Sequence, residues 1–426
     1  MRRRNERYLI KHVNKKSGGD IAKVISLVVV LMLFVSVILW YIGSVVNSEE
    51  RSFFPSISRN DTTDDEISIY NHEEIPYEPA ENVTPDVALV GINYLEYGNM
   101  FELPLNGATG WAATRLPVRA EASSSAQTLV SIEAGRGFTI LESSGNWWYV
   151  DLNDGQTGWV DNRGCFINLP DIIPSMVFQN TNASGSIMVS LGYTIPGITG
   201  EVMYNARAFN YRLNREEYIV PGMYSLARSL FVAQQAAREN GNTLIINEVF
   251  RPRATQSAVV QGMNSLMAQN SDVHSAITSS PWNLGWFIST GTSNHQRGAA
   301  VDASIGMIRT YEYRQTGDFI YRHVLGFREH IMPTCMHELS PRAAIFNSPR
   351  TITAAQMLDS NTVFNDNVTP GVRHLQRAFG AAGFTPLASE WWHFNHADSI
   401  TTANSMSITG NFFTETIYSR PPIIQE

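Results

Sequence analysis

Cysteine is scarce in this sequence, and its scarcity excludes several kinds of site. The chain contains two cysteines, Cys165 and Cys335, which lie far apart and form no CxxC motif. Metal sites built from cysteine, and folds held by many disulfides, both need several closely spaced cysteines. Two buried free thiols are therefore expected, although a single long-range disulfide stays open.

An excess of positive charge is also missing. The formal net charge is −8, from 31 Lys and Arg against 39 Asp and Glu. A protein that binds nucleic acid carries a basic face, so this balance argues against a nucleic-acid partner. The length of 426 residues predicts two or three domains.

Charged residues are absent from residues 24–46, near the N-terminus. A helix of this length, at about 1.5 Å per residue, spans the roughly 30 Å hydrocarbon layer of a membrane. A buried core helix is the alternative, but such helices are rarely apolar all round over this length. Basic residues precede the stretch and Glu49 and Glu50 follow it. The positive-inside rule therefore predicts a cytoplasmic tail at 1–20, a transmembrane helix in the cell membrane at 21–46, and an extracytoplasmic remainder.

The next two segments differ in composition. Residues 47–105 are acidic and polar without sustained periodicity, which predicts a linker, although its segment VALVGINYLEYG can add a strand to the domain that follows. Residues 106–168 instead alternate short β-rich runs with turn signals such as Asn-Asp-Gly at 153–155. Short strands at this spacing indicate a small barrel.

The runs LPVRAEAS, SGNWWYVDL and GQTGWVD make residues 106–168 resemble a bacterial SH3 domain. The resemblance implies binding of cell-wall peptide or glycan, or a role as a spacer. Trp147, Trp148 and Trp159 can line a ligand groove or fill the barrel core. Because neighbouring strand residues face opposite sides, we expect at least one of the adjacent pair in the core.

Residues 175–426 form the largest predicted domain. Apolar residues at helical spacing, with capping and stop signals, predict helices at 223–239, 253–267 and 370–382. Apolar β-rich runs predict strands at 243–250 and 299–306, and a short strand through WWHF. These elements show no regular βαβ alternation, which favours an α+β fold.

Two clusters of potential metal ligands lie in this region. The first contains His295 and Asp302, and the second contains Glu390 and His393. Asp302 lies in an apolar strand, where a carboxylate is costly unless it is paired or bound to metal. Hydrolytic zinc sites use three His, Asp or Glu ligands and leave one position open. Each cluster alone is also compatible with a surface histidine and an ion pair between Asp302 and Arg297.

Together, in order and spacing, the two clusters resemble the zinc D-alanyl-D-alanine peptidases, which include bacterial carboxypeptidases and vancomycin-resistance dipeptidases. The family pattern is S-x-H-x(6)-D followed by E-x-x-H near the C-terminus, and it matches SNHQRGAAVD at 293–302 and EWWH at 390–393. A third segment, EVFRPRATQ at 248–256, is similar to the strand-to-helix segment of the family that carries an arginine and a glutamine. The resemblance covers roughly residues 215–400.

The resemblance implies one zinc ion bound by His295, Asp302 and His393, with water in the fourth position. Zinc lowers the pKa of such a water towards about 7. Glu390 would be the general base that takes the proton of this water and passes it to the leaving amine. Residues 390 and 393 would face opposite sides of a regular strand, so a bend or bulge is required.

The resemblance also assigns roles around the metal. Arg251 would polarise the scissile carbonyl and stabilise the oxyanion, and a structural ion pair with Glu248 is the alternative. Ser293, Gln256 and His337 would contact the substrate.

The implied activity is that of a D,D-carboxypeptidase acting on peptidoglycan stem peptides. In the dipeptidases, the segment that matches MPTCMHELS at 332–340 supplies an acidic residue for the free amino group of the substrate. Here His337 occupies that place and Glu338 follows it. A D-Ala-D-Ala dipeptidase, a cell-wall endopeptidase of the same superfamily and a non-catalytic wall-binding protein stay open as alternatives.

The expected architecture is an α+β zinc DD-peptidase domain, preceded by a small all-β SH3-like barrel and one transmembrane helix. The expected partners are the peptidoglycan stem peptide, the cell wall through the SH3-like domain, and the membrane through residues 21–46.

Overall fold

A computed structural model describes residues 80–83 and 89–422 of the chain. All of these residues belong to one unit of the chain, residues 75–426. The predicted tail at 1–20, the predicted transmembrane helix at 21–46 and most of the predicted linker lie outside the described residues. None of the helices in the described ranges is long and apolar enough to cross a membrane.

The strands and helices follow one another in mixed order. The strands are β1 (Glu81–Asn82), β2 (Ile92–Asn93), β3 (Thr109–Ala112), β4 (Leu116–Arg119), β5 (Thr128–Ile132), β6 (Gly137–Ser144), β7 (Trp147–Asp151), β8 (Thr157–Asp161), β9 (Cys165–Asn168), β10 (Val177–Phe178), β11 (Val189–Ser190), β12 (Tyr193–Thr194), β13 (Arg207–Asn210), β14 (Arg215–Tyr218), β15 (Pro221–Met223), β16 (Asn242–Glu248), β17 (Ala300–Thr316), β18 (Phe319–Glu329), β19 (Thr385–Leu387) and β20 (Glu390–Asn395). The α-helices are α1 (Tyr224–Glu239), α2 (Arg253–Gln269), α3 (Ser271–Thr278), α4 (Ala354–Leu358), α5 (Pro370–Ala381) and α6 (Ala397–Ser405).

The predicted SH3-like region forms most of one eight-stranded sheet, in the order β15-β9-β3-β6-β7-β8-β4-β5. The turn between β7 and β8 contains Asn153 and Gly155 at φ of 59° and 91°, which are conformations that these two residue types tolerate. Trp148 is completely buried, whereas Trp147 and Trp159 are half-buried. One of the adjacent tryptophans therefore lies in the core, as predicted from strand alternation.

The same sheet corrects the expectation of a separate SH3-like barrel that precedes the other domain. Its strand β9 pairs with β15, which comes from the region predicted to be the second domain. Residues near the C-terminus also return to it, since Trp111 Nε1 donates to the Glu415 carbonyl at 3.1 Å and the Tyr418 amide donates to Thr109 Oγ1 at 2.8 Å. The expectation of a separate barrel in front of the second domain was therefore wrong. The described residues form a sheet-rich mixed fold with the SH3-like strands built into it.

One hydrophobic core joins the two regions. A single buried cluster contains both Trp148 of the SH3-like sheet and Trp392 of β20. Trp148 packs edge-on against Tyr224, the first residue of α1, with ring centroids 5.2 Å apart. Burial of each large apolar side chain contributes about 1.5–3 kcal/mol. The interface is therefore stabilised as a protein interior and not as a loose contact between modules.

The second eight-stranded sheet is organised around the long strand β17. Its first half pairs with β16 on one side and β20 on the other, both antiparallel. The register places Asp302 opposite Glu248 on one neighbour and opposite His393 on the other. Three polar residues of the predicted site therefore lie in one row across three strands.

The second half of β17 pairs with β18 and with β1, and β18 also pairs with β2. Strands β1 and β2 both come from the predicted linker, residues 47–105. The segment VALVGINYLEYG therefore adds a strand to the following domain, as expected. The last part of the predicted linker is accordingly part of the fold.

Neither cysteine forms a disulfide. Cys165 is buried, where desolvation raises the pKa of its thiol well above the usual value. Cys335 is exposed. The expectation of two free thiols is confirmed, but burial of both was wrong.

Candidate metal centre

Three side chains predicted as zinc ligands meet at one point. His295 Nε2 lies 3.2 Å from Asp302 Oδ1 and 3.1 Å from His393 Nδ1. His393 Nδ1 in turn lies 3.0 Å from Asp302 Oδ1. A tetrahedral metal with bonds of about 2.0–2.1 Å places its ligand atoms roughly 3.3 Å apart. The three atoms therefore have nearly the spacing of one face of a zinc coordination tetrahedron.

The outer nitrogens of both imidazole rings already have partners. His295 Nδ1 donates to the Val249 carbonyl at 2.9 Å, and His393 Nε2 donates to Asn395 Oδ1 at 3.1 Å. A neutral imidazole has one N–H, so the inner nitrogens present lone pairs to each other and to a carboxylate oxygen. One divalent ion bound between them would satisfy all three atoms at once. The donor set therefore fits a metal ion with its outer partners in place.

Asp302 is the anionic member of the cluster and is 1% exposed. Burial opposes its ionisation, yet the electrostatic influence of the neighbouring histidines, His295 first, holds its pKa well below the usual range. Its Oδ2 atom accepts from Arg251 Nη2 and from His337 Nε2, each at 3.2 Å. One carboxylate oxygen thus faces the ligand cluster while the other is anchored.

Arg251 forms the ion pair with Glu248 that the sequence analysis gave as its alternative role. Its Nε donates to Glu248 Oε2 at 2.6 Å, and its Nη1 donates to Gln256 Oε1 at 2.9 Å. Glu248 and Asp302 raise the pKa of Arg251 although burial opposes its charge. The side chain also lines the cavity beside the candidate ligand cluster. Glu248, Asp302 and His337 form a second group of suitable ligand atoms, but the Arg251 guanidinium already neutralises two of them.

Glu390, the predicted general base, lies next to the ligand cluster. Its Oε2 is 3.8 Å from His393 Nδ1, and its side chain lines the same cavity. Burial raises the pKa of Glu390 to about 8. A carboxyl group in this environment can exchange a proton near neutral pH, as general acid–base catalysis requires.

A strand irregularity places Glu390 and His393 together. Pro386 of β19 pairs with Phe394 of β20, but the next residue, Leu387, pairs with Glu390, so the register of the two strands shifts at this point. In a regular strand, residues 390 and 393 would point to opposite faces. The bend or bulge that the sequence required is therefore present.

A cavity of ≈ 210 Å³ opens beside these groups. Small-molecule sites commonly measure about 300–1,000 Å³, so this one suits a short substrate segment. Its apolar lining consists of Met188, Trp286, Phe287, Ile288, Leu339, Leu387 and Trp392. Its uncharged polar lining consists of Gln256, Ser289, Thr292, Ser293, Asn294 and Asn395.

Ser293 and Gln256, both predicted to contact substrate, line the cavity but differ in whether their side chains already have hydrogen-bond partners. Ser293 Oγ has no hydrogen-bond partner among the described residues, so it is available to a ligand. Gln256 is committed at both ends, because its Oε1 accepts from Arg251 and its Nε2 donates to the Ser289 carbonyl at 2.8 Å. Gln256 therefore positions Arg251 and the adjacent loop.

His337, the third predicted contact residue, also lines the cavity. Its backbone is left-handed, with φ of 60°, which is unusual for a histidine. Glu338 points elsewhere, since its carboxylate accepts from the Leu191 amide at 2.6 Å and the Gly192 amide at 3.1 Å. The residue beside the candidate ligand cluster is thus His337, and Glu338 does not line the cavity.

Two asparagines that the sequence analysis did not identify support His393. Asn395 Oδ1 accepts from His393 Nε2 and also from Asn294 Nδ2, at 2.8 Å. Asn294 Oδ1 in turn accepts from Arg297 Nη1 at 3.2 Å. Asn395 lies two residues after His393 on one strand, so the shared face was visible in the spacing. Arg297 consequently does not form the predicted alternative ion pair with Asp302.

The turn that follows His295 rests on the SH3-like sheet. Gly298 has φ of 62°, and a Cβ atom there would lie 2.6 Å from the Phe166 ring of β9. Its carbonyl accepts from the Met223 amide of β15 at 3.0 Å. Strands β9 and β15 therefore support the loop that carries a metal ligand, and only glycine fits there.

Comparison with known proteins bears on the SH3-like region of the chain. No curated protein matches the chain. Residues 114–164 match the Bacterial SH3 domain family, SH3_3, within the predicted range 106–168. The SH3-like interpretation is therefore confirmed, and this part of the chain is a bacterial SH3 domain of a kind consistent with cell-wall binding.

Proposed function

We propose that this protein is a zinc-dependent D,D-carboxypeptidase that hydrolyses D-alanyl-D-alanine bonds in peptidoglycan stem peptides. The observation that carries the proposal is the convergence of three ligand atoms, from His295, Asp302 and His393, beside the Glu390 carboxylate in one cavity. The order and spacing of the two sequence motifs favour this peptidase family over other metal hydrolases.

The residues divide the chemistry among themselves. A divalent ion held by the three ligands supplies Lewis-acid activation of water and of the scissile carbonyl. Glu390 accepts a proton from the attacking water and delivers it to the leaving amine. Arg251 keeps Asp302 ionised and oriented, and the unpartnered Ser293 hydroxyl offers a hydrogen bond to the peptide.

The cavity favours a stem peptide over a free dipeptide. The ammonium group of a dipeptide needs a carboxylate to offset its desolvation on entering a buried site. The carboxylate of Glu338 is occupied by two backbone amides, and His337 takes its place at the cavity. A stem peptide has an uncharged amide at that point and makes no such demand.

The SH3 domain fits the same substrate. The presence of a bacterial SH3 domain is consistent with binding to the cell wall. In this protein, the domain shares a hydrophobic core with the proposed catalytic region. We propose that it holds the enzyme on peptidoglycan. A non-catalytic wall-binding protein would have no use for a buried carboxyl group next to three converging ligands.

The test measures metal content and hydrolysis on the same samples. Full-length protein should contain about one zinc per chain, since the proposal rests on one set of three converging ligands. It should release D-alanine from a pentapeptide stem faster than it cleaves free D-Ala-D-Ala, as followed by mass spectrometry. His393→Ala should lose metal and activity together. His274→Ala, an exposed histidine of α3, is the matched control and should lose neither. A His393→Ala protein that keeps its full zinc content would contradict the assignment.

A further inference from the structure

A second cavity lies apart from the candidate metal centre. It measures ≈ 450 Å³, and none of the residues that line it also lines the cavity beside the candidate ligand cluster. Its walls come from residues in and near β1 and β2, from the C-terminal end of α1, and from the paired strands β17 and β18. The volume lies within the range of about 300–1,000 Å³ that is typical of small-molecule sites.

Arg322 of β18 lines this second cavity and is half-buried. Its guanidinium carbon lies 3.5 Å from the centroid of the Tyr311 ring, so a cation–π contact fixes the side chain. Its Nε is buried without a hydrogen-bond partner, and in the described ranges no acidic side chain forms an ion pair with it. Buried polar groups are normally hydrogen-bonded, because an unpaired charge in the interior is costly. The fold therefore holds Arg322 in place but provides no anion for its charge.

A second arginine lines the same cavity. Arg238, in the last turn of α1, donates from Nη1 to Glu102 Oε1 at 3.2 Å, and its side chain is 21% exposed. Burial lowers the pKa of Arg322, and the positive charge of Arg238 lowers it further. The two guanidinium groups are therefore close enough to repel each other, and an anion bound beside them would relieve this repulsion.

The acidic groups of the cavity are already engaged. Glu102 is 4% exposed and accepts from the Ser175 amide at 2.9 Å and from the Ser175 hydroxyl, in addition to Arg238. Glu96 is exposed and accepts from Asn93 Nδ2 at 2.9 Å. A bound anion therefore has to come from outside the described part of the chain.

We propose that this second cavity binds a phosphate ester, with Arg322 and Arg238 as donors to the phosphate group. A phosphate group has more acceptor oxygens than a carboxylate and can accept from two guanidinium groups, whereas the paired donors of one arginine satisfy a carboxylate. The planar donors of arginine also suit phosphate better than the point charge of lysine does. Leu95 and Ile320 line the cavity as well, and they contact the organic part of the ester. The site is separate from the proposed peptidase centre.

The experiment measures, by calorimetry, the binding of three small anions to the full-length protein. Glycerol phosphate is a phosphate monoester, glycerophosphoglycerol is a diester, and glycerate carries a carboxylate in place of the phosphate. At least one of the two esters should bind more tightly than glycerate. Arg322→Gln should weaken binding of that ester by about tenfold or more, as expected when a hydrogen-bonded charge partner is removed.

Further variants locate the binding and separate it from effects on folding. Arg322→Lys keeps the charge but loses the planar donors, so its affinity should fall between those of the wild-type protein and Arg322→Gln, and it keeps the test valid if Arg322→Gln does not fold. Arg328→Gln, an exposed arginine of the same strand, is the matched control and should bind the ester as the wild-type protein does. His393→Ala should also bind it normally, because His393 does not line this cavity.

The outcomes identify the source of the phosphate group and can overturn the site. Tighter binding of the monoester would support a soluble metabolite as the ligand, and tighter binding of the diester would support a lipid headgroup or a phosphate-linked polymer. Failure of both esters to bind, or equal binding to the wild-type protein and Arg322→Gln, would overturn the proposal. Tighter binding of glycerate would overturn the choice of phosphate, and loss of binding in His393→Ala would place the anion at the metal centre instead.

Discussion

Replacing Arg251 by Met removes a positive charge that two buried carboxylates share. Glu248 is 0% exposed and Asp302 is 1% exposed, and the guanidinium donates to them at 2.6 Å and 3.2 Å. It also donates to Gln256 at 2.9 Å. Without it, the two acids lie on paired strands with no cation between them. Breaking a buried ion pair by removing one partner costs about 3–5 kcal/mol, and we expect the free energy of unfolding to fall by that amount.

A double-mutant cycle tests the cause of this loss. Glu248→Gln in the Arg251→Met background removes one of the uncompensated charges, so the double variant should be more stable than the sum of the single effects predicts. We expect a coupling energy of about 1–3 kcal/mol, typical of contacting charged residues. Arg163→Met is the control, because its ion pair with Asp161 lies at the surface with the arginine side chain 53% exposed. Such pairs contribute at most about 1 kcal/mol.

The assay is urea unfolding of the full-length variants, followed by tryptophan fluorescence and circular dichroism. Zinc must be held at one concentration throughout, because an ion bound to the folded state adds stability by mass action. A loss in Arg251→Met no larger than that in Arg163→Met would refute the buried-charge argument. A coupling energy near zero would show that Glu248 does not depend on Arg251 for its charge balance.

Three further predictions concern the catalytic base, the support of a ligand, and pH. Glu390→Gln should keep its zinc but lower kcat by at least about 10²-fold, since an amide cannot accept the proton of water; an unchanged kcat would exclude Glu390 as the base. Asn395→Ala should weaken zinc binding about 10–100-fold in a chelator competition assay, because His393 Nε2 loses its acceptor, and an unaltered affinity would contradict that support role. His323 has its pKa lowered to about 3 by burial and by Arg215, which donates to its Nδ1. An unfolded histidine titrates near 6.5, so the neutral His323 ring stabilises the folded state fully above about pH 6.5, and this stabilisation is lost as the pH falls towards about 3. In His323→Gln, the free energy of unfolding in urea should therefore depend less on pH between these two values. Identical pH dependence in the variant and the parent protein would disprove the assignment.

The residues of the candidate ligand cluster could be predicted from sequence because the signals that single them out are local. His295 and Asp302 are separated by six residues, which form a glycine-containing turn and the start of an apolar strand. Glu390 and His393 share a short aromatic run, and the requirement for a bulge followed from the spacing alone. Imidazole and carboxylate groups in apolar segments are costly without a partner, so residue type and context pointed to a site.

The roles of the surrounding residues were harder to predict. Arg251 was assigned to the oxyanion and Gln256 to the substrate, yet both are engaged with other protein groups. Asn294, whose amide links Asn395 to Arg297, was not identified. Such contacts join residues up to 101 positions apart, and their geometry depends on which strands become neighbours.

The sequence by itself determined the SH3 domain, the residues of the candidate ligand cluster, and the principal strands and helices of the C-terminal region. Periodicity, turn residues and short motifs are local properties, so they can be read without knowing the rest of the fold. Only the tertiary structure decided that the SH3 strands share a sheet with β15 and a core with Trp392. It also decided that Phe166 of that sheet supports the loop of His295, and that Asn294 links Asn395 to Arg297. These features depend on contacts between segments that are far apart in the sequence. The hydrogen bonds and the burial that stabilise such contacts exist only in the folded chain, so the local sequence of a strand does not show which other strand it will pair with.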